Sequence, residues 1–156
     1  MEKQGKSGQT AEAVQFGKLK NSQKAPTCVA EVMTAKVTTL LPTNTLNDAI
    51  AMMANNTFRH FIVVEPDSTL AGVVSDRDLL RAMNHRRDWA ETKVGDFMTR
   101  DVVTVRKETH LSDAVEEILS RRINCLPVVD EKNRVCGIVT STDLLRVYEE
   151  IQKQLE

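Results

Sequence analysis

Apolar and polar positions alternate between two periods along the chain, and the order of those periods repeats. A short β-branched run, Val37-Thr38-Thr39-Leu40, comes first. From Leu46 to Asn55 the apolar residues Leu46, Ala49, Ile50 and Met53 fall on one face of a helix. Phe61-Ile62-Val63-Val64 is a continuous apolar run of buried-strand type. A polar turn at Glu65-Pro66-Asp67-Ser68 leads into the strand Leu70-Ala71-Gly72-Val73-Val74, and a second helix follows. Further on come Val102-Val103-Thr104-Val105, a helix pattern from Leu111 to Ser120, Leu126-Pro127-Val128-Val129, the turn Asp130-Glu131-Lys132-Asn133, and Val135-Cys136-Gly137-Ile138-Val139. The element order is β-α-β-β-α, twice.

The two halves are a sequence repeat. Met33-Thr34 returns as Met98-Thr99, Gly72 as Gly137, and Asp78-Leu79-Leu80-Arg81 as Asp143-Leu144-Leu145-Arg146, each 65 positions on. Roughly sixteen of some fifty positions between Val29 and Arg81 are identical at this shift, with no gap. Two copies are too few for a solenoid, so a pseudo-symmetric pair is expected. In each copy the helix between the first two strands implies a parallel, right-handed crossover, and the short turn between the second and third implies a hairpin. Two helices on one face leave the other face of a three-stranded sheet bare. The other copy is the natural cover for it, so the copies are expected to fold as one body of α/β (α+β) class. The divisions expected are a mobile polar tail over residues 1–25, the first repeat over 26–82, a linker over 83–93 with Trp89 packed at the junction, the second repeat over 94–146, and a helical extension over 147–156. Ala13, Val14, Phe16 and Leu19 in the tail could form a short docked helix.

Composition narrows the function. With 41% apolar residues, one Trp and one Tyr, the core must be aliphatic. The net charge of −1 and few aromatics count against a nucleic-acid binder, and the pairs Arg86-Arg87 and Arg121-Arg122 read as solvated helix ends. Three cysteines, Cys28, Cys125 and Cys136, show no disulfide or zinc spacing. No run reaches the length of a membrane span, and a reducing cytoplasm is the expected location.

Each copy carries Gly-x-Val-[Ser/Thr]-x-x-Asp, from Gly72 to Asp78 and from Gly137 to Asp143. The plain reading is a capping box, with the hydroxyl capping a helix and the acid reaching back to free N–H groups. Its repetition on a strand-to-helix turn allows a second reading. A helix N-terminus attracts phosphate, a hydroxyl there can bind it, and a carboxylate can accept both hydroxyls of a ribose. Glycine on the preceding strand permits close backbone approach.

The element order, the Met-Thr opening and the closing motif together resemble a tandem pair of cystathionine β-synthase-type (CBS) domains, a Bateman module, over Val29 to about Arg146. The resemblance implies two repeats packed sheet to sheet, with two pseudo-equivalent clefts that bind AMP, ADP, ATP or another adenosine compound as a regulatory ligand. Ser75 and Asp78 would contact phosphate and ribose in one cleft, Thr140 and Asp143 in the other. Val37-Thr38 and Val102-Val103 would hold the adenine, and Ile62 and Pro127 would line the cleft beside it. Arg59 and His60 stand where the family often places phosphate-binding residues. The second copy departs there, with Asn124 and Cys125, so equal occupancy of the clefts is in doubt. His60 could equally be a surface or capping histidine. Cys125 reads as a packing residue rather than a redox sensor, since nothing supplies a resolving partner.

Nothing in the pattern supports catalysis: there is no nucleophile-base-orienter set, no paired acids and no metal spacing. Three functions remain open. The first is a sensor of an adenosine ligand that acts on an unidentified partner. The second is a structural association module with empty clefts. The third, disfavoured by charge, is a nucleic-acid binder using Arg81, Arg86, Arg87, Arg121 and Arg122. The stripe Leu144, Leu145, Val147, Tyr148, Ile151 and Leu155 exceeds what one small unit buries, and could pack on the tail or on a second chain. The resemblance implies flat dimers paired through their helices, so a homodimer is expected.

Overall fold

The computed structural model describes residues 24–156, and the expected tail lies almost wholly outside them, with its candidate helix at Ala13–Leu19. The first copy contains β1 (Thr39–Leu40), α1 (Leu46–Asn55), β2 (His60–Val64), β3 (Leu70–Ser75) and α2 (Asp76–His85). The second contains α3 (Leu111–Arg121), β4 (Cys125–Val129), β5 (Val135–Thr140) and α4 (Ser141–Leu155). β1 pairs parallel with β2, and β2 antiparallel with β3. β4 and β5 form the matching hairpin, with the same register shift, at Val128/Val129 as at Val63/Val64.

The second copy lacks the expected strand over Val102–Val105. Only Val105 is paired, donating to the Pro127 carbonyl and accepting from the Val129 amide, each at 3.0 Å. The reason lies in β4: Pro127 has no N–H with which to carry the ladder on toward Val103. The first copy has Ile62 at that position, and its β1 forms, although it is shorter than the expected Val37–Leu40.

Both hairpins turn on a left-handed residue, Ser68 (φ 71°) and Asn133 (φ 60°), which the repeat places in register. The two turns bond to each other, Leu70 N–H to the Asn133 carbonyl and Val135 N–H to the Ser68 carbonyl, both at 3.0 Å. Alternation along the strands shows how the copies meet. Phe61 and Val63 enter a core with Leu40, Leu46, Ala49, Val74 and Leu79. Their neighbours Ile62 and Val64 point the other way, yet are 0% and 8% exposed. Leu126 and Val128 likewise enter the second core while Pro127 and Val129 are buried outside it. Those opposite faces are covered because the sheets pack on one another.

The opening segments are exchanged between copies. Val94 and Met98 complete the first core, and Val29 and Val32 the second. Thr34 and Ile138 share a reciprocal pair of backbone bonds at 2.9 and 3.0 Å, and Val73 and Thr99 a pair at 2.9 Å. The repeat boundaries therefore divide the sequence but not the packing. α4 runs unbroken through residue 147, so the extension continues the repeat's own helix. In the linker, Trp89 donates its indole N–H to the Arg86 carbonyl at 3.0 Å, and Thr92 accepts from Leu46 N–H at 2.8 Å. No helix among the described residues is long and apolar enough to cross a membrane.

Candidate functional site

β3 and β5 each pass directly into a helix, and the motif residues occupy those junctions. Ser75, extended at φ −102° and ψ 166°, caps α2. Its hydroxyl accepts from Asp78 N–H at 3.2 Å, while Asp78 Oδ2 accepts from Ser75 N–H and from Ser75 Oγ–H, both at 2.8 Å. Thr140 and Asp143 repeat the arrangement on α4 at 3.3, 2.7 and 2.8 Å. The capping box is thus complete at both sites. It uses Oδ2 of each carboxylate, and Oδ1 lies outside the box. Removing either acid would remove a cap, a change costing about 1 kcal/mol.

Both junctions open into one cleft of about 870 Å³ between the copies. The resemblance implied two pseudo-equivalent clefts; here both motif junctions line this shared one. Of the candidate residues, Arg59, His60, Ser75, Asp78, Val102, Val103, Cys125, Thr140 and Asp143 line it. Val37, Thr38, Ile62 and Pro127 do not. Ile62 and Pro127 pair with Val73 and Ile138 in mid-strand and are consumed by sheet-to-sheet packing. Val37 and Thr38 precede the short β1 and lie away from this cleft, whereas the unpaired Val102 and Val103 turn into it, with Asp101 beside them. The cleft is therefore asymmetric in shape as well as in charge.

Thr34 and Thr99 also line the cleft, brought there by the exchanged segments. The repeated Met-Thr pair marked them as special without indicating a site. Phe58 and Ile123, in register in the repeat, line it too, and Phe58 stacks edge-to-face on Phe61 with centroids 6.1 Å apart.

Backbone bonds set the helix entrances. Asp76 N–H donates to the Arg59 carbonyl and Ser141 N–H to the Asn124 carbonyl, both at 3.0 Å. These bonds satisfy the first free amide of each helix. His60, paired with Ser75, is half-buried, and burial holds its pKa below the usual 6.5; Asp76 and Asp78 pull it up, and Arg59 and Arg77 push it further down. Cys125 occupies the equivalent place beside Thr140, and burial pushes its thiol up to about 12. A thiol so protonated is a poor nucleophile, in keeping with a packing role. All three cysteines are free.

A model of the CBS domain matches residues 29–85 and 94–150. Among curated relatives, the homoserine O-acetyltransferase of Methanococcoides burtonii is 35% identical over 78% of this chain, but over 24% of its own length. The same enzyme of Methanohalobium evestigatum is 31% identical over 89% of this chain and 28% of its own. The chain spans about a quarter of the length of these relatives. Two solved structures match over nearly their whole length. A putative acetoin utilization protein (AcuB) from Vibrio cholerae superposes with a TM-score of 0.74 and 33% identity, covering 81% of this chain and 93% of that one. CBSX2 in complex with AMP gives 0.73 and 30%, covering 80% and 98%. With both repeats matched and the exchanged cores enclosing one cleft, the chain belongs to the CBS domain family, as a tandem pair.

Proposed function

We propose that this chain is a non-catalytic regulatory module that senses an adenosine-containing ligand of the AMP, ADP or ATP class. One observation carries the reading: two hydroxyl–carboxylate pairs, each at a helix N-terminus, face a single cleft whose volume suits a small organic ligand. The complex of CBSX2 with AMP supports the choice of ligand class. In this reading Ser75 and Thr140 contact phosphate, and Asp78 and Asp143 accept ribose hydroxyls through Oδ1. Val102 and Val103 hold the base. Arg59 and His60 add polar contacts on one side. The exposed faces of α2 and α4 join two chains into a homodimer, and a separate cytoplasmic protein reads the ligand-dependent change.

The use of both motif hydroxyls and one oxygen of each acid in helix capping supports a second reading, a structural association module whose cleft stays empty. A thermal-shift series with AMP, ADP, ATP, NADH and S-adenosylmethionine separates the two. A ligand that binds only the folded chain raises the melting temperature by mass action, by about 2.7 kcal/mol of stability at a hundredfold excess over Kd. No shift with any of them, confirmed by calorimetry, sinks the sensing reading.

A further inference from the structure

α2 and α4 are pseudo-symmetric mates, and the residues they leave exposed have diverged in one direction. On α2 these are Arg77, Leu80, Arg81, Asn84 and His85. Spacings of three and four put them on one face, away from Leu79 and Ala82, which enter the core. The same positions of the repeat on α4, Thr142, Leu145, Arg146, Glu149 and Glu150, are exposed as well. The leucine and the arginine beside it are kept. Arg77 stands against Thr142, Asn84 against Glu149 and His85 against Glu150, and each difference makes α2 the more positive helix or α4 the more negative. Arg77 and Arg81 give the α2 set a charge of +2, while Arg146 against Glu149 and Glu150 gives the α4 set −1. Among the described residues Arg77, Arg81 and Glu150 have no ion pair, whereas Glu149 is held by Lys153 at 2.6 Å.

A two-fold axis can join these faces in two ways. Head to head, α2 meets the α2 of a second copy and α4 meets its α4. Head to tail, each α2 meets the α4 of the other chain. The apolar contribution is the same either way, since both arrangements cover two Leu80 and two Leu145 side chains. Charge therefore decides between them. Head to head brings the Arg77 and Arg81 of one chain onto those of the other, and likewise Glu149 and Glu150. Head to tail sets a positive face on a negative one, twice. Like charges brought together across an interface oppose association, and complementary faces fix its register. We propose that the chain pairs with a second copy head to tail, the exposed face of α2 lying on the exposed face of α4 in the other chain. The arrangement rests on the dimer reading given under the proposed function. Arg77 also lines the cleft, so this pairing brings the second copy to the cleft's rim.

Analytical ultracentrifugation of the full chain and charge-reversed variants tests it. Arg77→Glu with Arg81→Glu, and Glu149→Lys with Glu150→Lys, are each expected to raise the dimer Kd about tenfold or more, because two attractions per dimer become repulsions. All four substitutions in one chain exchange the signs of the faces, and are expected to bring Kd back near that of the wild type. A head-to-head dimer gives no such restoration, since each face there meets only its own copy. Cross-linking with a bismaleimide supplies a second readout that does not depend on the charges. A mixture of Leu80→Cys and Leu145→Cys chains is expected to give a linked dimer. Either variant alone is expected to give only the background of the wild type, whose own cysteines are buried or half-buried. Linkage of either variant alone above that background, or no restoration in the fourfold variant, overturns the head-to-tail arrangement and leaves the dimer standing. A wild type that is monomeric at tens of micromolar overturns the dimer reading and the arrangement with it.

Discussion

The Met33 sulfur lies 2.7 Å from where a β-carbon on Gly137 would stand, although the two residues belong to different repeats. Gly72 has the mirror relationship with Met98, whose sulfur is 2.9 Å away, and with the Thr99 carbonyl oxygen at 2.6 Å. Neither glycine has a positive φ. What each supplies is room for the exchanged Met-Thr segment, and close approach on this strand serves the other repeat rather than a ligand.

This contact sets an order of stability. Adding a methyl at Gly137 meets mainly the mobile end of Met33, with the Thr34 oxygen at 3.1 Å. At Gly72 it meets backbone that the Val73–Thr99 bonds hold in place. Overpacking costs about 1–3 kcal/mol, offset in part by the lower chain entropy of alanine. Gly72→Ala is expected to destabilise by about 3 kcal/mol and Gly137→Ala by about 1 kcal/mol in urea unfolding. Equal effects, or the reverse order, would show that the exchanged segments are not held as described.

How much of this was legible in the sequence depends on what sequence encodes. Periodicity and the repeat carry the element order, because helices and strands impose different spacings on the same apolar residues. The exchange of opening segments was not legible. Val29 and Val94, Met33 and Met98, Thr34 and Thr99 are identical pairs, so nothing in them says which core each fills. The missing strand at Val102–Val105 turned on a single residue, Pro127, whose consequence falls on its neighbour. That Ile62 and Pro127 sit in mid-strand, off the lining of this cleft, was not legible, because a strand buried on both faces gives no alternation to tell one face from the other.

Asp78→Asn and Asp143→Asn separate the two roles of the motif. Asparagine retains an acceptor for the cap and loses the charge. If Oδ1 of each acid receives ribose, each variant is expected to lose roughly 1.5–3 kcal/mol of binding, about tenfold to a hundredfold in Kd, with the apo melting temperature nearly unchanged. Asp143 is only 5% exposed, so its variant is the more sensitive of the two in the apo melt. A drop in apo stability with intact affinity would leave the motif as a cap.

His60 gives the fold a pH dependence of known sign. Its folded pKa lies below 6.5 because burial disfavours the charged ring. The unfolded chain therefore binds more protons than the folded one just below that value. Stability from the neutral ring is complete above pH 6.5 and is lost as pH falls toward the folded pKa. His60→Gln is expected to flatten the fall in melting temperature between pH 7.5 and 5.5. An identical fall in both proteins would assign the dependence elsewhere.

Leu145 and Tyr148, three residues apart on α4, are 66% and 61% exposed, and Leu155 continues the stripe at 75%. Leu80, the repeat partner of Leu145, is 60% exposed on α2. Isolated exposed leucines need no explanation, but a row of exposed apolar residues along one helix, with Leu80 at the matching place on its pseudo-symmetric mate, is the form of an association face. A two-fold interface uses the same patch from both chains, so one substitution removes two contacts. Fully burying a leucine contributes about 1.5–3 kcal/mol, so Leu145→Asp should weaken a dimer by about 3 kcal/mol or more, over a hundredfold in Kd. Light scattering is expected to give a dimer mass for the wild type and a monomer mass for Leu145→Asp, with circular dichroism unchanged because the side chain is already exposed in the single chain. A wild type that is monomeric at tens of micromolar would refute the interface, and a dimer that survives Leu145→Asp combined with Leu80→Asp would move it away from α2 and α4.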